Sequence, residues 1–248
     1  MALGCHASRC RRAIRRELSL GPDRTVLLYA PTHRDHGKGL VPHLDPRRLA
    51  RELGPRYVVL VRAHRLDGRS IPLDGAGVMD VTGHPSVEEL CLVSDALITD
   101  YSSLMFDCAC LDRPIISHVP DREAYRASRG TYFDLLPGRH GDTPGAVSTT
   151  EDELLELFRT GEWCSARTAG LRAAFRERFC PYDDGHAAER VVRRLFLGDS
   201  DGDGYGYGYG DSYGDCRDSE PDRTATGARP MSPVRERPGP VTPGPSRG

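Results

Sequence analysis

The sequence has almost no lysine, no excess of charge of either sign and no long apolar run. Its basic residues are all Arg except Lys38, and acidic residues nearly balance them, which leaves a formal net charge of −2. A nucleic-acid-binding protein usually carries a basic stripe, so we expect no nucleic-acid partner. The apolar segments fall short of the roughly 20 residues that span a membrane. The Arg-rich start lacks the apolar block of a secretory signal.

The chain also lacks the cysteine spacing of common metal sites. None of its eight cysteines forms a Cys-x-x-Cys pair, and no His lies at zinc-finger spacing. We therefore expect no cofactor, no metal ligand and a metal-independent reaction. Cys91, Cys108 and Cys110 lie in apolar segments, which is typical of small buried hydrophobic residues. Reduced thiols of this kind indicate a cytoplasmic protein.

The last part of the chain, residues 199–248, contains almost no aliphatic residues and is rich in Gly, Tyr, Asp, Pro and Arg. Such a segment buries too little apolar surface to offset the entropy of ordering it. We predict a disordered tail there, and the Gly-Tyr run leaves open a role as an interaction segment. Residues 1–19 are predicted to form an N-terminal linker or helix, and residues 20–198 one domain.

Short apolar strands alternate with helices through the first half of that domain. The predicted strands are residues 25–30, 56–64, 78–81, 96–99 and 114–119, and none alternates polar with apolar residues. Solidly apolar strands joined by helices are typical of a parallel sheet with helices on both faces. Everything after the fifth strand is predicted to be helical. The expected fold class is a doubly wound, Rossmann-like α/β domain.

Polar residues follow four of these strands. In open parallel sheets ligands bind outside the carboxyl ends of the strands, so these residues are expected to meet at one rim. They comprise residues 31–34, Arg62 with residue 64, residues 80–84 and residues 100–103.

The segment "ALITDYSSLMFDCACLDRPII" places two hydroxyls where a strand becomes a helix. Free backbone N–H groups at a helix start favour an anion, and Ser102 and Ser103 would add donors. Asp107 follows Ser103 by four residues and shares its face of the helix, where a carboxylate suits sugar hydroxyls. The pattern fits a nucleotide diphosphate lying along the helix. These residues alone favour the simpler interpretation, in which Ser102 is a plain N-cap and Asp107 an exposed helix residue.

Two further groups of basic residues are candidates for phosphate binding. Arg62 and His64 alternate on a strand end and so point to one face of the sheet. An Arg fork binds phosphate oxygens, and a His titrating near neutral pH can protonate a leaving phosphate. In the preceding loop, Arg34, His36 and Lys38 would form a phosphate clamp. For each of these residues an ordinary solvated or structural role stays open.

Several motifs together resemble the CDP-glycerol glycerophosphotransferase family of teichoic-acid synthesis, from about residue 11 to residue 197. The strand and turn "LLYAPTHRD" resemble the family's Pro-Thr-Trp-Arg turn, and "VRAH" its Arg-x-His-Pro. The block "VEELCLVSDALITDYSSLMFDCACLDRPII" is very close to the family's most characteristic segment. "RGTYFDL", Pro144-Gly145 and "DDGHAAERVV" also match. The resemblance implies the C-terminal, donor-binding half of a GT-B fold.

The resemblance also implies an activity, partners and site residues. Family members transfer glycerol phosphate from CDP-glycerol to a lipid-linked teichoic acid or related polyol-phosphate acceptor, at the cytoplasmic face of the membrane. His64 matches a catalytic histidine, and Asp107 is expected to hold the ribose. The residues that match donor-binding positions are Pro31, Thr32, Arg34, Arg62, Ala63, His64, Ser102, Ser103 and Asp107.

The chain departs from the family in three places. His33 replaces the family's Trp, and Arg65 replaces its Pro. The sequence begins where the family's C-terminal domain begins, so the acceptor domain with its His-Gly base is expected to be missing, and "RHGD" at residues 139–142 does not replace it. Three functions follow as hypotheses: a glycerophosphotransferase completed by a separate N-terminal half, an inactive donor-binding module, and a GT-B glycosyltransferase that uses a nucleotide sugar. The Arg-rich start would contact anionic lipid or serve as a connecting helix.

Overall fold

A computed structural model of the chain describes residues 2–34, 43–63 and 77–197. Its strands are β1 Thr25–Tyr29, β2 Tyr57–Val61, β3 Val78–Asp80, β4 Ala96–Thr99, β5 Ile115–His118 and β6 Ala146–Ser148. Its α-helices are α1 Ala2–Glu17, α2 Pro46–Leu53, α3 Val87–Val93, α4 Leu104–Cys110, α5 Arg122–Arg129, α6 Glu151–Thr160, α7 Ala166–Phe179 and α8 Ala187–Val192. A 3₁₀ turn at Glu162–Cys164 precedes α7, and a π-helical segment at Arg193–Leu197 follows α8.

The strands form one parallel sheet in the order β3-β2-β1-β4-β5-β6. Alternate residues of β1 enter different cores: Val26 and Leu28 pack on one face, Leu27 and Tyr29 on the other. Helices cover both faces, which explains why the strands read as continuous apolar runs. The prediction of a doubly wound α/β domain is confirmed.

Helix boundaries follow the capping residues of the sequence. Asp45 accepts a hydrogen bond from the Arg47 backbone N–H, Pro46 opens α2, and Gly54 ends it with a φ of 81°. Ser86 caps α3 by accepting from the Glu89 N–H at 3.1 Å, and Thr150 caps α6 in the same way. These helix starts were predicted correctly.

The expectation that everything after β5 is helical is wrong, because β6 completes the sheet. Gly145 leads into this short strand, and a Cβ on it would lie 2.2 Å from the Ile115 carbonyl oxygen. Only glycine permits so close a backbone approach between β5 and the segment entering β6. The last predicted helix, from Asp184 to residue 198, is also shorter than expected, since α8 begins at Ala187.

Helix α1 packs against α3 and is tied to it by arginines. Arg11 donates to the carbonyl oxygens of Leu92 and Ser94 at 2.8 and 3.0 Å, and to Asp95 at 2.6 Å. Ile14 is buried in the core. Part of the arginine cluster therefore serves this helix contact. Among the described residues no helix is both long and apolar enough to cross a bilayer.

Residues 198–248 lie outside the described part of the chain, and so do residues 35–42 and 64–76. The disordered tail and the boundary at residue 199 stay predictions.

Candidate functional site at the carboxyl ends of the strands

The site lies where the sheet reverses its order. Strands β1 and β4 are adjacent at the centre, and the chain winds outward from them in opposite directions, so their carboxyl ends border a crevice. The predicted site residues follow three neighbouring strands at this rim. Pro31 and Thr32 follow β1, Arg62 and Ala63 follow β2, and residues 102–103 follow β4.

Asp100, at the end of β4, is the hub of this crevice. Its side chain is 4% exposed. One carboxylate oxygen accepts from the Thr32 backbone N–H at 2.9 Å, the Thr32 hydroxyl at 2.5 Å and the Tyr101 N–H at 2.7 Å. The other oxygen accepts from Arg34 at 2.8 Å. A buried carboxylate with this many donors fixes the two strand ends relative to each other.

Arg34 continues this network and was predicted to bind substrate. Its guanidinium donates to both carboxylate oxygens of Asp121, at 2.8 and 3.2 Å, and to the Thr32 carbonyl oxygen at 2.7 Å. It also lies over the stacked rings of Tyr101 and Tyr125, with its central carbon 5.3 and 4.8 Å from their centroids. These contacts use most of the guanidinium donors, so Arg34 is placed as a residue that orders the crevice.

The pKa values of this group agree with a permanent ion pair. Burial disfavours the charged form of Asp121, but the Arg34 guanidinium outweighs it and holds the pKa of that carboxyl below its usual range. Burial likewise opposes the charge on Arg34, and pairing with Asp121 and Asp100 raises its pKa. Burial also raises the pKa of the Tyr101 phenol. The network therefore joins one guanidinium, that of Arg34, to two carboxylates, those of Asp100 and Asp121.

The end of β2 is more open. The Arg62 backbone N–H donates to the Tyr29 carbonyl oxygen at 2.9 Å, which extends the ladder one residue past β2. Its side chain donates to the His84 carbonyl oxygen at 2.9 Å and is otherwise half-buried at the rim. The Ala63 N–H donates to the Thr82 hydroxyl at 3.0 Å. Backbone contacts thus fix the Arg-x-His turn as far as Ala63.

The predicted catalytic residue His64 lies outside the described residues, as do His36 and Lys38 of the predicted phosphate clamp. The structure therefore places only Arg34 of that clamp and only Arg62 and Ala63 of the Arg-x-His turn.

Helix α4 begins where the sequence predicted, with both serines at its start. The Ser102 hydroxyl accepts from the Leu104 N–H at 3.2 Å and shapes the first turn. Ser103 is exposed, and its hydroxyl makes no capping bond to the helix. Asp107 is exposed one turn later. Partial burial and then the carboxylate of Glu88 raise its pKa. Ser103 and Asp107 are thus polar groups that face outward along one side of α4.

Other histidines have structural roles. His118 is 3% exposed, and its ring nitrogens lie 2.9 Å from the Ser148 hydroxyl and from the His43 carbonyl oxygen. Burial lowers its pKa, so it is a neutral core residue. His84 is also largely buried, with Nδ1 2.9 Å from the Ser86 carbonyl oxygen.

Sequence reasoning placed Asp100 at the rim without assigning it a role, and it missed two other residues that organise the crevice, Asp121 and Tyr125. Asp100 had a local signal, since it directly follows a fully apolar strand and precedes Tyr-Ser-Ser. Asp121 and Tyr125 had none, because their partner Arg34 lies 87 residues from Asp121 in the chain.

Residues that could hold a metal lie elsewhere. Within the described ranges, Cys110, Cys180 and Asp183 bring potential ligand atoms together at the far end of α4. The rim itself offers no comparable group among the residues that the structure describes.

Comparison with known proteins matches most of this domain to one family. Residues 5–197 match the profile of CDP-Glycerol:Poly(glycerophosphate) glycerophosphotransferase. The chain is 36% identical over 193 residues to the teichoic acid poly(glycerol phosphate) polymerase of Bacillus subtilis (strain 168), covering 74% of this chain and 25% of that protein. It is 31% identical over 190 residues to the teichoic acid glycerol-phosphate transferase of Staphylococcus aureus (strain NCTC 8325 / PS 47), covering 74% and 48%.

A solved structure has the same fold. The wall teichoic acid polymerase TagF superposes with a TM-score of 0.65 at 33% identity, over 76% of this chain and 47% of that one. A TagF variant soaked with CDPG superposes with a TM-score of 0.62 at 34% identity, over 74% and 44%. The chain spans between a quarter and a half of the length of these relatives.

Proposed function

The chain belongs to the CDP-glycerol:poly(glycerophosphate) glycerophosphotransferase family, and on that basis we propose that residues 20–198 bind CDP-glycerol at the rim of the sheet. In the complete reaction, glycerol phosphate passes from CDP-glycerol to the polyol-phosphate end of a lipid-linked teichoic acid, and CMP leaves. This chain supplies the donor half of that site.

The observation that carries the proposal is the placement of the predicted site residues on three adjacent strand ends at the reversal point of the sheet. Thr32, Arg62 and Ser103 come from segments far apart in the sequence, yet they follow β1, β2 and β4, which are neighbours. Ligands of doubly wound sheets bind at this position. The crevice is also rigid, because Asp100 joins the ends of β1 and β4.

The polar groups along this rim suit a nucleotide diphosphate ester. Arg62 carries a permanent positive charge whose donors match phosphate oxygens. The Ser103 hydroxyl adds a donor, and the Asp107 carboxylate accepts hydrogen bonds from ribose hydroxyls one turn along α4. The phosphates would therefore lie near Arg62 and Ser103, and the ribose near Asp107.

The chemistry that follows is an attack by the acceptor hydroxyl on the β-phosphorus of CDP-glycerol. The bond from that phosphorus to the CMP oxygen breaks, and CMP carries away the negative charge. Arg62 would stabilise this charge electrostatically. The family resemblance gives His64 the role of stabilising or protonating the phosphates. The base that activates the acceptor would come from an N-terminal acceptor half.

A second candidate is a donor-binding module that has no transfer activity alone, since the outward-facing groups described at the rim, Arg62, Ser103 and Asp107, can hold a donor without catalysing its transfer. Two measurements separate the candidates. Transfer of labelled glycerol phosphate to a lipid-linked acceptor should require a separately produced acceptor half. Failure of the mixture to transfer, with CDP-glycerol binding intact, would favour the binding module.

Donor identity is tested by competition. We expect CDP-glycerol and CMP to displace a bound cytidine nucleotide, and UDP-sugars to displace it far less well. The opposite preference would assign the rim to a nucleotide-sugar glycosyltransferase and overturn the proposal.

We place the reaction at the inner face of the membrane, where a lipid-linked acceptor lies. Because Arg11 and Arg15 are engaged within the domain, any lipid contact by α1 would use exposed arginines such as Arg12 and Arg16. Co-sedimentation with anionic vesicles, lost in an Arg12→Ala/Arg16→Ala variant, would support that contact.

A further inference from the structure

We propose that Cys110, Cys180 and Asp183 form a zinc-binding site that joins the end of α4 to the end of α7. The three side chains present two thiol sulfurs and a carboxylate oxygen, all within 4.8 Å of one another. The site lies at the opposite end of α4 from Ser103, so it is separate from the proposed donor site.

The separation between Cys110 and Asp183 fits tetrahedral zinc, and the other two separations fall within 4.8 Å. With Zn–S bonds of about 2.3 Å and a Zn–O bond of about 2.1 Å, two ligand atoms lie about 3.6 to 3.8 Å apart. The Cys110 sulfur lies 3.7 Å from Oδ2 of Asp183. Two thiolates and one carboxylate are a donor set that zinc accepts, and Mg²⁺ or Ca²⁺ would not select it. Asp183 is exposed, so water can take the fourth position.

The fold holds these ligands in place without a metal. Cys180 directly follows α7, and the Asp183 N–H donates to the Cys180 carbonyl oxygen at 3.2 Å, so a turn brings both side chains together. Helices α4 and α7 are locked by aromatic contacts, with Phe106 stacked on Phe175 at 5.2 Å and edge-on to Phe179 at 5.6 Å. The ligand positions are therefore set by core packing.

A second pair of thiols, Cys91 and Cys108, belongs to the hydrophobic core and serves as a comparison. Cys91 and Cys108 also lie in contact, but they are 0% and 1% exposed and packed among apolar residues. They leave no access for an ion, and among the described residues they form no three-ligand group with a carboxylate. Cys110 and Cys180 differ in both respects, since they are only half-buried and share a carboxylate.

Zinc here would act on structure near the donor site. It would tie the segment leading into α8 to α4, whose first turns carry Ser103 and Asp107. It would also neutralise the negative charge of Asp183, which contributes to the raised pKa of Asp107. The sequence pattern does not predict this site, because Cys110 lies 70 residues before Cys180 in the chain.

The test is a metal titration of the full-length chain, free of any histidine tag, stripped with a chelator and kept reduced. We expect one equivalent of Zn²⁺ to bind in competition with a chromophoric chelator, and Co²⁺ to give a thiolate-to-cobalt absorption band. The variants Cys110→Ser, Cys180→Ser and Asp183→Asn should each weaken binding more than about 10-fold. Cys164→Ser, at an exposed cysteine away from the cluster, should bind as the parent does.

Asp183→Asn keeps the test decisive if a cysteine variant unfolds, because it alters only an exposed carboxylate. Parent binding no tighter than that of Asp183→Asn would overturn the proposal. So would a Cys110–Cys180 disulfide that forms when the reductant is removed in the presence of one equivalent of Zn²⁺, since bound zinc would protect both thiolates from oxidation.

Discussion

Two sets of polar groups at the strand-end rim differ in how they are used. In the first set, Arg34 bonds to both Asp100 and Asp121, and each of the three is at most partly exposed. In the second set, the Arg62 side chain donates to one carbonyl oxygen among the described residues, while Ser103 and Asp107 face outward on α4. A group whose bonds are already made holds the fold, whereas a group facing solvent at the same rim is where a ligand can bind.

Among the substitutions that test this comparison, Asp100→Ala is expected to cause the largest loss of stability. The substitution leaves the Arg34 guanidinium without one buried partner and removes the acceptor of Thr32 and of the Tyr101 N–H. Removing one member of a buried ion pair costs about 3–5 kcal/mol, so we expect a loss of that order in the free energy of unfolding. Denaturant titration measures it.

The control for that variant is Arg159→Ala, which removes an exposed ion pair between α6 and Glu52 of α2. We expect the control to change stability by less than about 1 kcal/mol. If Asp100→Ala were as mild as the control, Asp100 would not be the hub of the crevice.

A smaller effect, on binding and not on stability, is expected from Arg62→Ala. A hydrogen bond to a charged group contributes about 1.5–3 kcal/mol, so donor affinity should fall roughly 10- to 100-fold while the unfolding free energy stays near that of the parent. Calorimetric titration with CDP-glycerol checks this.

The same strand offers the matched control. Arg56 directly precedes β2, at the amino ends of the strands and away from the rim, and it is exposed. Arg56→Ala should therefore leave the affinity for CDP-glycerol unchanged. Equal losses from both arginines would mean that general positive charge, and not the rim, attracts the donor.

The smallest effect concerns pH and the β5/β6 side of the sheet. Burial lowers the pKa of His118 below its usual value of 6.5. Between the folded and the unfolded pKa, the imidazole is therefore protonated in the unfolded chain and neutral in the folded one. The folded state therefore has its full stability above about pH 6.5 and loses some as the pH falls toward the folded pKa. His118→Gln should flatten this decline in urea titrations over that range.

A decline in stability that persisted in His118→Gln would assign it to other groups.

Sequence alone predicted the parts of the molecule that depend on local patterns. The run Asp45-Pro46…Gly54 predicted α2, and solid apolar runs predicted β1, β2, β4 and β5. It missed β6, since three residues after Gly145 carry too little pattern to be read as a strand. Local sequence patterns also could not predict the contacts between segments that are distant in the chain. Neither the Arg34–Asp121 pair nor the Cys110–Cys180 contact has any local signature, because tertiary packing alone brings these residues together.

The most direct measurement is a calorimetric titration of the chain with CDP-glycerol, with Ser103→Ala and Asp107→Ala beside it. Both side chains are exposed on α4, so the variants should keep the parent's unfolding free energy within about 0.5 kcal/mol. We predict saturable binding in the parent and at least roughly tenfold weaker binding in each variant. A well-folded parent that binds no CDP-glycerol, or variants that bind as tightly as the parent, would contradict a donor site at this rim.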